Sequence, residues 1–222
     1  MKKIGLVIVL FTQLSFAQVK KNVGEFDKVK VFDRISVELI PSNEERIEIK
    51  GSRSSEVEVV NKNGELKIRM ALKKLLDGED ISAVLYFKRI ESIDANEGSF
   101  VGCGQTFKQS DIEITAQEGA EVKVALEVQK VKVKTYTGGI VTLSGSAANQ
   151  EISSLTGGIV SAKDLKTEQT TVTINAGGDA KVNASELVDA KIRAGGTITI
   201  YGKPAKINKK TTLGGTIEEV RE

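Results

Sequence analysis

Few residues of this chain have the type and spacing that catalysis or metal binding needs, and the sequence contains no histidine. That absence excludes the Ser-His-Asp and Cys-His mechanisms and removes the commonest metal ligand. Asp77, Glu79 and Asp80 are close enough in sequence for their carboxylates to hold Ca²⁺, but the spacing does not match an EF-hand. A solvated loop is the preferred interpretation, cation binding there stays open, and we predict no cofactor.

Cys103 is the single cysteine of the chain, so the fold has no internal disulfide. Its position between Gly102 and Gly104 is compatible with an exposed reactive thiol. Counted along the repeat described below, however, it falls in an inward column. We therefore predict a buried side chain that behaves as a small, inert hydrophobe.

Carboxylates that cleave polysaccharides must cluster on one face of the protein. Asp164, Asp179 and Asp189 stand at different offsets from the glycines that mark the repeat, so they are not expected to align. The sequence therefore predicts no catalytic residues, although a glycan-processing enzyme remains the alternative to a binding module.

Three alternating lysines, Lys130, Lys132 and Lys134, form a short basic row that is able to meet an acidic polysaccharide. A solvated strand is the preferred interpretation, since such rows are common on exposed faces. Tyr136 and Tyr201 are expected to point outward on different flanks. The binding residues thus stay unknown at this point.

The charge balance argues against a general nucleic-acid or anionic-membrane binder, that is, one that binds through an overall excess of basic residues. The chain has 32 lysines and arginines against 30 acidic residues, and the charges alternate with apolar residues. Tryptophan is absent and aromatic residues make up only 5%, so stacking platforms are scarce.

The element that must position all these residues is a glycine-marked repeat. Its marks begin at Gly98, Gly119, Gly138, Gly157, Gly177, Gly195 and Gly214, with spacings of 21, 19, 19, 20, 18 and 19 residues. A fixed period of this length is typical of solenoids.

Apolar residues keep phase with the glycines in three columns. The column just after each mark contains Val101, Val122, Val141, Val160, Ala180, Ile198 and Ile217. The next same-face column contains Cys103, Val124, Leu143, Ala162, Val182 and Ile200, and the column before each mark contains Ile93, Ile114, Val133, Ile152, Val172 and Ala190. A further inward column is expected at Ala147, Leu165, Leu187 and Ala205, with a drifting offset.

These columns predict an all-β fold, a right-handed parallel β-helix with coils of about 19 residues. Each unit is too short to bury its own apolar face, so stacked units must share a core. Lys209 and Glu219 fall in strand columns of the last period, where charge stops further strands from adding. The solenoid is therefore expected to cover residues 91–222.

Residues 18–90 lack the glycine period but still show short strands. Asn63-Gly64, between the apolar runs 57–60 and 66–70, is a hairpin signal. Residues 72–80 interrupt the strand pattern with a loop or one helical turn. We expect 18–90 to be an irregular β-rich cap, or wider first coils, continuous with the solenoid.

Residues 1–17 have the features of a secretory signal peptide. Lys2 and Lys3 precede the apolar run 4–10, and Ser15 and Ala17 are the small residues before a cut that leaves Gln18 first. No later apolar run is long enough for a helical membrane span. We expect an exported protein, periplasmic or at the cell surface.

Three motifs resemble those of the putative autotransporter adhesin, head GIN domain family, of exported proteins from Bacteroidetes-type bacteria. The motifs are Leu143 to Ala147, Thr156 to Val160, and Tyr201 to Pro204 before Gly214-Gly215. The resemblance covers nearly all of the chain after residue 17. It implies a right-handed β-helix and an adhesin-like role, with no catalytic or binding residue to transfer.

Together these observations favour a non-enzymatic exported scaffold or adhesin-like binding module. Its partner is unknown; a cell-envelope glycan, a host glycan and a protein are all open. The alternatives are the glycan-processing enzyme and a purely structural periplasmic protein.

Overall fold

The computed structural model describes residues 18–220; the predicted signal peptide, 1–17, lies outside the described residues. The strands are β1 Gln18–Asn22, β2 Lys28–Val31, β3 Ser36–Pro41, β4 Arg46–Lys50, β5 Val57–Lys62, β6 Glu65–Met70, β7 Ser82–Phe87, β8 Ser92–Ala95, β9 Phe100–Gln117, β10 Glu121–Tyr136, β11 Ile140–Thr156, β12 Ile159–Ala176, β13 Asp179–Ala194, β14 Thr197–Gly202, β15 Lys206–Leu213 and β16 Thr216–Glu219. Short 3₁₀ helices cover Ser54–Glu56 and Leu72–Lys74.

The strands form a parallel β-solenoid of about 7 turns with coils of about 19 residues, as the glycine period predicts. Strands β9 to β13 are 16 to 18 residues long and pair in parallel with their neighbours in chain order. Each long strand turns a corner of its coil and therefore contributes to two faces.

The predicted columns stack as files of buried side chains. Val122, Val141 and Val160 are direct cross-strand neighbours, and each is fully buried. The column before the glycines is confirmed in the same way, since Ile114, Val133 and Ile152 pair in register. Each buried valine or isoleucine contributes about 1.5–3 kcal/mol relative to exposure, so the stacked files supply the main stabilisation.

The prediction of a fourth inward column, the one with a drifting offset, was wrong, because its members do not form a single file. Ala147 pairs with Thr167, whereas Leu165 pairs with Gly145, so the two lie in different files. Leu187 is only half-buried and Ala205 is exposed. Register shifts between Thr142 and Ser144, and again in β12, move the residues that follow them out of phase.

The paired glycines at each turn serve two different needs. Gly138 has φ +75°, and a Cβ atom there would contact nothing. The need for glycine at this position therefore comes from its backbone conformation. For Gly139, a Cβ atom would lie 2.0 Å from the Ala116 carbonyl oxygen of the preceding coil, so close approach explains it. The turns also bond to one another, as when Gly119 N donates to Thr137 O at 3.2 Å.

The N-terminal coils stack out of chain order. Strands β2 and β3 lie between two other coils, pairing in parallel with β6 and β7 on one side and with β8 and β9 on the other. These pairings cross residue 90, so the boundary between a cap, 18–90, and a solenoid, 91–222, stays a prediction. The core files continue into this region, since Val37 pairs with Val101.

Antiparallel strands cover the outer edge of the first coil. Strand β5 pairs with β6 through the predicted hairpin, where Asn63 and Gly64 have φ +54° and +78°. These values suit a two-residue hairpin turn with positive φ at both positions. Strand β4 pairs with β7, and β1 pairs with β4.

At the other end, β15 pairs with β13 and β16 with β14. Within residues 18–220 no further strand covers their outer edge. The same part of the chain has no helix of the length and hydrophobicity that a membrane span needs.

Candidate functional site

The acidic residues that were considered for Ca²⁺ form hydrogen bonds and ion pairs with neighbouring side chains. Asp77 accepts a hydrogen bond from Arg53 Nη1 at 2.8 Å, and Glu79 accepts one from Arg34 Nη1 at 2.7 Å. The Ser52 hydroxyl donates a hydrogen bond to Asp80, and this bond lowers the pKa of the Asp80 carboxyl. Arg53 also lies 4.0 Å from Asp80, so all three carboxylates have arginine neighbours that compete with a cation for them.

The lysine row is paired with acidic residues on the strands above and below it. Lys130 lies 3.7 Å from Glu151, and Lys134 lies 2.6 Å from Glu113. The hydrogen bond to Glu113 raises the pKa of Lys134. Because the charges cancel across the strands, this row presents a mixed face and no strong anion site.

The three scattered aspartates lie in different settings. Asp189 contacts Lys191 at 3.2 Å on the face of β13, whereas Asp179 lies just after a turn and Asp164 follows a register shift. Among the described residues, no three acidic or cysteine side chains are grouped so that they could hold a metal ion.

Cys103 is half-buried, not fully buried as predicted. It pairs in register with Leu39 and packs against the core, so its inward direction agrees with the repeat. Burial raises the pKa of its thiol. A thiol that stays protonated at neutral pH is a poor nucleophile.

The feature that best fits ligand binding is an open groove of about 720 Å³ at the corner between two faces of the solenoid. It crosses the coils of β10 to β14, and its lining combines polar side chains with Val128, Ala147, Ala148 and Ala184. One cross-strand file runs along this corner, in the order Glu127, Ser146, Lys166, Asn183 and Tyr201. We call these five residues the corner file.

The corner file has a fixed spacing, because each member belongs to a paired strand. Neighbouring strands lie about 4.8 Å apart, so the file extends over about 19 Å along the solenoid axis. Its side chains supply a carboxylate, a hydroxyl, an amine, an amide and a phenol. Groups that donate and groups that accept hydrogen bonds are therefore both present along the row.

Hydrogen bonds beneath the groove fix its floor. Thr167 Oγ1 donates to Asn183 O at 2.8 Å, and the Asn183 side-chain amide donates to Lys163 O at 2.9 Å. Ser185 Oγ donates to Thr167 O at 3.3 Å. Gly202, with φ +81°, lies so close to the Ala184 carbonyl that a Cβ atom would be 2.4 Å from it.

A second open groove of about 610 Å³ continues the first toward β14. The two share Asn183, Gly202 and Lys203, and the second adds Tyr201 and Asp164. Tyr201 is half-buried, so one part of its ring is available to a ligand. Tyr136 lies away from both grooves.

Sequence reasoning placed Tyr201 on the outer surface but missed the rest of the corner file. Its members stand at different distances from their glycines, because the register shifts near the corner. A signal did exist: small or polar residues interrupt the apolar alternation at 145–146, 166 and 183–185.

The fold and the groove define an all-β parallel solenoid with an extended polar surface, an architecture used for binding and scaffolding. The chain belongs to the family described as putative auto-transporter adhesin, head GIN domain, whose model matches residues 25–204. A comparison with curated proteins gives no significant match.

Several crystal structures have this fold. A putative adhesin from Bacteroides fragilis has a TM-score of 0.86 at 20% identity, covering 94% of this chain and 98% of its own. A putative adhesin from Parabacteroides distasonis has a TM-score of 0.74 at 18% identity, covering 93% and 97%. A putative lipid binding protein from the same species has a TM-score of 0.69 at 15% identity, and the match covers 92% of this chain and 96% of that protein. At these identities the likeness shows the fold alone.

Proposed function

We propose that the protein is an exported, non-enzymatic, adhesin-like binding module that holds a linear glycan in the corner groove. The observation that carries the proposal is the corner file, a row of side chains that offers both hydrogen-bond donors and acceptors above a hydrogen-bonded floor. Family membership supports an adhesin-like role in general terms.

A glycan suits this groove better than a charged polymer. The two lysines of the groove, Lys166 and Lys203, are balanced by Glu127 and Glu168, so no single sign of charge dominates. Sugar hydroxyls both donate and accept hydrogen bonds, as the lining groups do. The exposed part of the Tyr201 ring offers an apolar face for stacking against a sugar ring.

The shape of the groove also favours a polymer. It is open along its length and follows the solenoid axis, so a chain can extend beyond both ends. Its residues belong to rigid paired strands, which keeps the ordering cost of binding low. Such an arrangement favours retention of a long ligand through repeated weak contacts.

A glycan array with three proteins tests this proposal. The wild-type chain should retain a subset of glycans, and Ser146→Arg should lose them because its side chain fills the groove. Thr171→Arg, the same enlargement of an exposed hydroxyl on a flat face, should bind like the wild type. Absence of binding to any glycan would contradict the proposal, and so would equal binding by Ser146→Arg.

The same glycans, incubated with the protein and separated by chromatography, test the enzymatic alternative. A binding module leaves them intact. Shortened products that disappear in Glu168→Gln would instead favour a hydrolase or lyase.

A further inference from the structure

The loop after β6 exposes an unusual group of leucines. Leu72, Leu75 and Leu76 are 70%, 52% and 46% exposed, and they lie within five consecutive residues. Single exposed apolar side chains are ordinary, whereas a compact group marks a contact surface. We call residues 72–76 the leucine loop.

The leucine loop is held in place by a buried carboxylate. Asp33 is 1% exposed, and its two oxygens accept hydrogen bonds from Met70 N at 2.9 Å and Leu76 N at 2.8 Å. These bonds fix both ends of the loop against the first coils. The leucines are therefore displayed by a rigid support.

Leu76 also has an unfavourable backbone conformation. Its φ is +64°, in the left-handed region that leucine rarely adopts. The fold thus holds a leucine in a strained conformation with much of its side chain in solvent. Neither packing nor backbone preference explains this choice, and strain of this kind concentrates at functional positions.

The tip of the loop is basic. Lys73 and Lys74 stand between the leucines, and within residues 18–220 neither is ion-paired. The acidic residues that follow are paired with Arg53 and Arg34. Glu97 and Glu118 border a groove beside Leu76, so an anionic partner is expected at the tip and not in that groove.

We propose that the leucine loop docks onto a lipid bilayer that carries anionic headgroups. The leucines would enter the boundary between headgroups and acyl chains while Lys73 and Lys74 contact lipid phosphates. A stable protein interface uses roughly 20–30 residues on each side, whereas the leucine loop has five. A fluid lipid surface requires no complementary pocket, which favours a bilayer over a protein.

Vesicle co-sedimentation tests the proposal with the chain from Gln18 onward, which contains all the strands found in residues 18–220. Wild type should bind vesicles of phosphatidylcholine mixed with phosphatidylglycerol. Replacing both lysines, Lys73→Gln with Lys74→Gln, should weaken binding about fivefold per lysine. Leu72→Gln with Leu75→Gln should weaken it by about tenfold or more.

Leu213→Gln is the matched control, since Leu213 is 74% exposed but lies near the C-terminal end of the solenoid. It should bind vesicles like the wild type. Ser146→Arg in the corner groove should also bind normally, so failure of the glycan proposal would not affect this test.

Leu76→Asn separates docking from a structural role. Asparagine tolerates positive φ, so the variant should unfold at the same or higher denaturant concentration yet bind vesicles several-fold more weakly. The proposal would be overturned if this variant and the double variant Leu72→Gln with Leu75→Gln both bound vesicles as the wild type does. It would also be overturned by a wild type that binds no anionic vesicle, or by a dimer that only the leucine substitutions dissociate.

Discussion

Lys209 and Glu219 form an ion pair of 2.6 Å across the last coil of the solenoid. Both occupy inward positions, since Lys209 pairs in register with buried Ala190 and Glu219 with buried Ile200. Charge therefore replaces two of the apolar files where the stack ends, although Ile207 and Ile217 continue two others, and this charge discourages addition of another strand.

Replacing both residues by valine should make that end of the solenoid associate with other copies of the chain. The double variant Lys209→Val with Glu219→Val would extend two apolar files to an open strand edge. We expect concentration-dependent oligomers in sedimentation velocity, with unfolding free energy changed by only about 1 kcal/mol or less, because exposed ion pairs contribute little. Lys210→Val, one residue along β15, is the control and should sediment like the wild type. A double variant that also sediments like the wild type would show that the pair has no protective role.

The two glycines of one turn should respond differently to alanine. Gly138→Ala should lower the free energy of unfolding by about 1–2 kcal/mol, the usual cost of positive φ. Gly139→Ala should lower it by about 3 kcal/mol, because its Cβ would meet the Ala116 carbonyl of the neighbouring coil. Urea denaturation measures both, and equal losses would refute the distinction.

Asp94 should make stability depend on pH. Burial raises the pKa of its carboxyl above the ordinary value of 3.8, although Lys30 and Asn96 lie beside it and oppose the shift. Between the ordinary and the raised pKa the folded state holds more protons, so this group lowers the free energy of unfolding as pH rises through that interval.

Asp94→Asn removes this contribution while Lys30 keeps its contact with Glu65 at 3.1 Å. We expect the variant to be more stable than wild type at neutral pH, with the difference shrinking as the solution is acidified. Urea titrations over a pH series measure it, with exposed Asp111→Asn as the control. A difference that grows toward acid would reverse the assigned sign.

Cys103 should react slowly in the folded protein. Its half-buried position and raised pKa reduce both access and thiolate. Alkylation by iodoacetamide at pH 8 should be several-fold slower than in the same chain unfolded by guanidinium. Equal rates would mean that the thiol is open to solvent.

The sequence predicted the glycine-marked half of the fold well, for a physical reason. Val122, Val141 and Val160 keep constant phase with their glycines, so periodicity alone reveals their common file. The N-terminal half is different, because Asp33 and Arg34 occupy positive-φ turn positions without glycine. The order of its coils also depends on long-range pairing, which no local pattern encodes.

The candidate site was largely beyond sequence reasoning. Ser146, Lys166 and Asn183 become neighbours through register shifts, and the interrupted apolar alternation near them does not reveal the size of each shift. Leu76 was equally hidden, because a leucine in a charged loop is expected to fold back onto the core. The structure instead holds its backbone in place through the carboxylate of Asp33.

A crystal structure of the chain with a bound oligosaccharide selected on the array tests the account most directly. We predict sugar density along Ser146, Lys166 and Asn183, with a ring against Tyr201. Ordered sugar confined to another face, with the corner groove empty, would contradict the assignment of this groove as the binding site.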